Sequence, residues 1–254
     1  YIVAICCAAV ASTMWPIVVQ AQSDQHYTMF MYNKLQYNPG YTGSREALSI
    51  NALYRKQWTA IPGSPKTVGF SCDAPLGSYM RFWRPAAFGI SLVSESTGIE
   101  QNNIARAYYA YRIQLNHSVV SFGLSATANW YSASYTKLSP RQGGDPNFSS
   151  NIDGVLLPNF GTGVYWSGDN FYCGLSVPNM LQNYYDKNQK VKNARQIRTF
   201  YLNGGYVIGV NDAIKLQPQL LTRLAIVGER RLPVNADVNL SMIAYDRLLL
   251  GMTV

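Results

Sequence analysis

Few residues in this chain are of a type that could do chemistry, and none stands at a spacing that chemistry requires. His117 falls in a predicted tight turn and His26 lies near the start of the exported part. Neither has a serine recognisably beside it together with an acid, so hydrolysis by a nucleophile–base pair has no residues to use. The carboxylates are sparse and scattered, with no Asp/Glu pair for general acid–base work. Cys6 and Cys7 sit in an apolar run near the N-terminus; Cys72 and Cys173 show no Cys/His spacing for zinc. Those last two either pair in an oxidising compartment or remain free thiols on the apolar phase of predicted strands. Gly143-Gly144 is a loop pair with no helix after it, unlike a phosphate cradle. The cations do not interleave with aromatics as a nucleic-acid motif would. No enzyme activity, cofactor, metal or nucleic-acid partner is therefore expected. What remains is a set of cations, Arg55, Arg106, Arg112, Lys215 and Arg223, that share one phase of the predicted strands. They imply an anion-favouring interior, a docking site for an acidic segment, or ordinary barrel filling with each charge paired or hydrated.

The elements that would position these residues point to a membrane. Charged residues make up only 13% of the 254, about half the share usual in soluble proteins. The 19 Tyr, with 5 Trp and 9 Phe, suit a surface that meets lipid and its headgroups. Ile2 to Val19 is apolar apart from Ser12 and Thr13, and Val19-Gln20-Ala21 resembles a small-residue cleavage site. Residues 1–21 are thus expected to be a secretory signal peptide, its charged start cut away, with the mature chain beginning near Gln22. The net charge of +8 falls wholly in the remainder.

No segment after residue 21 reaches the ~18–20 consecutive apolar residues of a transmembrane helix. The chain alternates instead. Val120, Phe122, Leu124, Ala126, Ala128 and Trp130 oppose Ser121, Gly123, Ser125, Thr127 and Asn129, a strand with one apolar and one polar side. Similar phases run over 105–115, 214–223 and 234–244, with shorter ones near 46–58, 66–74, 86–96, 158–167, 170–178 and 197–209 and a last one from 247. That gives about eleven strands, many of the ~9–11 residues that a tilted membrane strand needs. A soluble sandwich also alternates, but its strands average ~5–6 residues.

Connection length is an independent criterion. The links at Asn116–His117, Gly168–Asp169, Val210–Asp212 and near Asp246 are short, whereas 133–157 and 179–196 are long and polar. Short and long fall on opposite ends, as in outer-membrane barrels with short periplasmic turns; Pro75 to Pro85 is the exception. The expected fold is all-β: a transmembrane antiparallel up-and-down barrel over 46–254, preceded by a periplasmic lead-in over 22–45. Eleven is odd, so closing strands beyond Val254 are expected, for a complete barrel of fourteen.

Four segments carry a family resemblance. DQHYTMFMYNKLQYNPGYTGS (24–44) holds Asn38, Pro39, Gly40 and Gly43. YRKQWTAIPGSPKT (54–67), the most specific, holds Tyr54, Arg55, Gln57, Trp58, Pro62, Gly63, Pro65 and Lys66. LPNFGTGVYW (157–166) holds Pro158 and Asn159, and FYCGLSVPNML (171–181) holds Pro178 and Asn179. In order and spacing they resemble the PorP/SprF family of outer-membrane proteins, linked to type IX secretion and gliding motility. The resemblance implies a non-enzymatic barrel that helps secrete or display large adhesin-type surface proteins. It also implies links to the secretion machinery through a periplasmic peptidoglycan-binding lipoprotein. On that basis 133–157 and 179–196 would face the exported protein, and 22–44 and 75–85 the machinery. The same motifs have structural readings: a turn at Asn38-Pro39-Gly40 that starts the first strand, a stiff first hairpin at 61–65, and Trp58 as an interfacial anchor. A passive porin or small-molecule channel is the alternative.

Overall fold

A computed structural model describes residues 29–78, 85–137, 151–185, 196–211, 213–227, 230–231, 234–245 and 247–253. The expected signal peptide, His26 and Gly143-Gly144 lie outside them. Within them, thirteen strands form one antiparallel sheet. They are β1 (Ser49–Lys56), β2 (Lys66–Pro75), β3 (Ala86–Thr97), β4 (Glu100–Gln114), β5 (Ser118–Ala133), β6 (Ile152–Gly168) and β7 (Phe171–Val177). The remainder are β8 (Arg198–Tyr206), β9 (Ile208–Asn211), β10 (Ile214–Val227), β11 (Arg230–Arg231), β12 (Asn235–Ala244) and β13 (Leu248–Thr253). β9 continues β8 past Val207 along the same partner, and β11 is a two-residue spur on β10. The main path therefore runs β1-β2-β3-β4-β5-β6-β7-β8-β10-β12-β13, the expected eleven, each neighbour in sequence also a neighbour in space. β1 and β13 stand at its two edges, and the sheet is not closed among the described residues.

Burial along the strands is inverted relative to a water-soluble sheet. On β5, Ser121, Ser125, Thr127 and Asn129 are 1–6% exposed, while Phe122, Leu124 and Trp130 are 44–59% exposed. β3, β6, β7 and β12 repeat the pattern with Ile90, Phe160, Leu175 and Leu240 outside. In water this would forfeit about 1.5–3 kcal/mol for each large apolar side chain left uncovered. A surrounding hydrocarbon phase removes that cost, which is why alternation with long strands specifies a barrel wall here and not a sandwich. Cys72 and Cys173 are free thiols on this outward phase of β2 and β7.

The sheet curls around its polar face. Phe30 packs in one cluster with Tyr201 of β8 and Leu221 of β10, and Leu53 of β1 packs against the same cluster. Strands so far apart in sheet order meet at one cluster only if the wall wraps round it.

Three expectations are revised. β6 begins at Ile152, not near 158, so the long connection expected over 133–157 is shortened at that end. Asp153 and Gly154 (φ +58°) obscure the alternation, and a bulge at Tyr131/Ala133 shifts the pairing. The first strand begins at Ser49, well after Asn38-Pro39-Gly40, so that tripeptide does not start it. Finally, residues 22–45, expected as a lead-in, are from Met29 onward packed against the polar face of the wall.

Candidate functional site: a plugged interior

Residues 29–47 fold as three short helical turns inside the curled sheet: Phe30–Tyr32, α1 (Lys34–Tyr37) and Pro39–Tyr41. Asn38 ends α1 and caps the next turn. Its Oδ1 accepts from Gly40 N at 2.8 Å, and Pro39 takes the first helical position, where its missing N–H costs nothing. The Asn38 amide, fully buried, donates to Val164 O on β6 at 3.0 Å. Thr42 Oγ1 closes the turn onto Pro39 O at 2.7 Å.

The wall receives this knob with glycine. A Cβ on Gly123 of β5 would lie 2.1 Å from Gly40 N and from Pro39 C, and one on Gly163 of β6 2.2 Å from Asn38 Oδ1. On β7, a Cβ at Gly174 would meet Asn38 Nδ2 at 2.5 Å. Gly123 and Gly163 are cross-strand partners. Glycine inside a strand marks close approach of another backbone, and here the approaching backbone is the chain's own N-terminal segment.

Further bonds spread the attachment around the wall. Asn51 of β1 donates to Tyr32 O at 2.6 Å, and Asp73 of β2 accepts from Gly43 N at 2.7 Å. Ser176 of β7 donates to Tyr37 O at 2.8 Å. Gly43 needs its left-handed φ of +72°, and a Cβ there would strike Ala87 of β3. The Lys34 ammonium sits 3.5 Å above the Tyr172 ring and 5.8 Å from that of Tyr41. Burial, and secondarily the charge of Arg45, push the Lys34 pKa down to about 7.

The five inward cations are not gathered into one patch. Arg106 donates from Nε to Thr127 Oγ1 at 2.8 Å and from Nη1 to Gln36 O at 3.2 Å, so it ties α1 to β4 and β5. Arg112 pairs with Glu46 at 2.9 Å, the link from the end of the plug to the turn-side rim. Arg223 pairs with Asp237 on the neighbouring β12. Lys215 and Arg55 are half-buried at other points of the inner face. Arg106, Arg112 and Arg223 are thus tied to the plug or the wall, and a continuous basic lining does not form among the described residues.

The remaining motif residues fall into two groups. Asn159, 1% exposed on β6, grips the backbone after Pro178-Asn179: its Nδ2 donates to Leu181 O at 2.8 Å and its Oδ1 accepts from Leu181 N at 2.9 Å. Asn183 returns a bond to Pro158 O at 2.6 Å, and Gly161 leaves room for Pro178, whose O would stand 2.4 Å from a Cβ. The start of the 179–196 connection therefore folds against the end of the wall, and the Tyr185 ring packs on that of Tyr131 at 4.6 Å, tilted by 50°. A cavity of about 90 Å³ remains between this cover and the plug, lined by Gln36, Arg106, Asn129, Asn179, Gln196 and Tyr201 among others. The second group is the β1–β2 hairpin. Its tip is pinned by Gly98 N to Gly63 O at 2.8 Å, with Gln57 N bonded to Pro65 O. Tyr54 and Trp58 point away from the interior, 65% and 68% exposed, and Trp58 holds a left-handed φ of +47°.

Sequence reasoning missed Lys34, Asp73 and the receiving glycines. The signal was available in Gly123, Gly161, Gly163 and Gly174, all on the inward phase of otherwise good strands.

Comparison with curated proteins and with solved structures returns no match. The family described as type IX secretion system membrane protein PorP/SprF matches residues 19–254, and so spans the plug, the glycine-lined wall and every described strand. The chain belongs to the PorP/SprF family of type IX secretion system membrane proteins.

Proposed function

We propose that this barrel does no chemistry and serves the type IX secretion and gliding-motility apparatus from the outer membrane, supporting secretion or surface anchoring of large adhesin-type proteins. Family membership carries the association with the type IX machinery. The observation that favours a holding role over a passive pore is the plug: Phe30 to Gly43 bonds or packs against β1, β2, β4, β5, β6, β7, β8 and β10 from inside. A channel for small solutes needs a cleared lumen, and here backbone fills it. The partners on this reading are an exported adhesin at the loop side and, at the turn side, a peptidoglycan-binding lipoprotein linked to the machinery. The test is a strain lacking this barrel, complemented with the intact gene. Loss of adhesin from the cell surface, restored on complementation, is expected; unchanged surface display together with steady ion-selective current from the purified barrel in liposomes would refute the proposal in favour of a porin.

A further inference from the structure

The outward phase of the wall is almost free of charge, and the exceptions share one sign and one end. Across β1 to β10, β12 and β13, the bulge of β6 aside, it holds Lys56, Lys66 and Arg198 and no carboxylate. Asp73, Glu95, Glu100 and Asp237 fall on the inward phase, and Asp153 lies in the β6 bulge, where the alternation is broken. Each of the three cations lies at the loop-side end of its strand: Lys56 ends β1, Lys66 begins β2 and Arg198 begins β8.

Lys56 and Lys66 are direct cross-strand partners. The Gln57 N to Pro65 O bond closes the ladder one step beyond them, which makes them a non-hydrogen-bonded pair, the kind whose side chains approach most closely. Like charges so placed repel, and neither lysine has an ion pair among the described residues; Lys66 has only the Tyr54 ring, 5.8 Å from its ammonium. Both side chains are exposed, and they are bracketed by outward Tyr54 and Trp58. Two ammonium groups between amphipathic aromatics, just where an apolar belt ends, match a headgroup anion lying at the membrane surface.

We infer that Lys56 and Lys66, framed by Tyr54 and Trp58, form a site for the phosphate of an anionic membrane lipid at the loop-side rim. The phosphate bridges the two ammonium groups and removes their repulsion, while the acyl chains lie along the apolar faces of β1 and β2. The site fixes the depth at which the first hairpin rides in the bilayer.

The test uses the full chain in phosphatidylcholine nanodiscs containing a minority of phosphatidylglycerol, with retained lipid counted by native mass spectrometry. Wild type is expected to retain phosphatidylglycerol in preference to phosphatidylcholine. The Lys56→Gln/Lys66→Gln variant should bind it about thirtyfold more weakly, as loss of two interfacial cations implies. Lys56→Arg/Lys66→Arg should bind as wild type does, which separates loss of charge from misfolding. Equal retention by the glutamine variant would overturn the proposal. So would displacement of the lipid by millimolar inorganic phosphate, which would mark a site for a free anion.

Discussion

Gly123→Ala is the sharpest perturbation of the plug, because it adds one methyl group and removes nothing. The new carbon would sit 2.1 Å from Gly40 N and Pro39 C and 2.4 Å from Pro39 O, against ordinary contact beginning at 3.4 Å. The plug must therefore retreat by about 1.3 Å. No rotamer relieves this, since the struck atoms are main chain, and β5 cannot yield because β4 and β6 hold it on both sides. Overpacking of this kind costs about 1–3 kcal/mol. A retreat also stretches Asn38 Nδ2 to Val164 O and Ser176 Oγ to Tyr37 O, each worth about 0.5–1.5 kcal/mol. The sum, about 4 kcal/mol, raises the undocked fraction roughly 10³-fold. Hydrogen exchange on the reconstituted barrel measures it: the amides of Gly40, Tyr41 and Thr42 should lose protection, and current across a planar bilayer should rise. Gly209→Ala is the control, since a Cβ there meets nothing within 4 Å. If Gly123→Ala leaves both the exchange and the current at wild-type values, the glycine pair does not seat the plug.

Three further outcomes follow from the same geometry. Asn38→Ala removes the cap on Gly40 and the bond to Val164, and should destabilise docking by about 1–3 kcal/mol without moving the wall, seen as faster exchange confined to residues 36–44. Lys34 makes docking depend on pH: below pH 7 the amine is charged whether docked or free, and docking carries the full desolvation cost. Between pH 7 and 10.5 the docked amine is neutral while the free one is still charged, so docking should strengthen as pH rises, by up to tenfold per unit. Protease protection of the plug measured from pH 6 to 9 should show that slope, and Lys34→Met should abolish it. Leu124→Arg places a cation on the outward phase of β5 at mid-strand, where Leu124 is 59% exposed; in lipid vesicles it should lower stability to urea by about 2–4 kcal/mol, and a null effect would contradict the lipid-facing assignment.

The wall was legible in the sequence because side-chain direction repeats every two residues, so phase survives without any knowledge of partners. That is why the buried and exposed sides of β5 follow the alternation, and why Arg106, Arg112, Lys215 and Arg223 occupy a single phase of their strands. The plug was not legible, for two physical reasons. Its helical turns are only three or four residues long, too short for any period to show. Its stability also comes from contacts such as Asn38 to Gly163 and Tyr37 to Ser176, which depend on the register of strands more than a hundred positions away. β6 was read short where Gly154 adopts positive φ and a bulge breaks the pairing, since a period-two pattern cannot be followed through an inserted residue.

Seen on the structure, the four motif segments do two different things. Asn38-Pro39-Gly40 meets Gly163 of the third segment and Gly174 of the fourth, and Asn159 of the third grips Leu181 of the fourth. Three of the four are thus one interlocked set, and their residue types are required by close packing inside the wall. That set can therefore offer little to a partner unless the plug moves. The first hairpin is different: nothing inside the barrel requires an exposed tryptophan at φ +47° or two prolines at its tip. A non-glycine residue held in the left-handed region costs about 1–3 kcal/mol, which its surroundings must offset. At Trp58 the offset comes from the bond of Gly98 to Gly63 and the ladder closed at Pro65, so the tip is stiffened in order to hold an indole outward. A surface presented this way loses little entropy when it is covered, and the lipid phosphate site inferred at Lys56 and Lys66 draws on that stiffness.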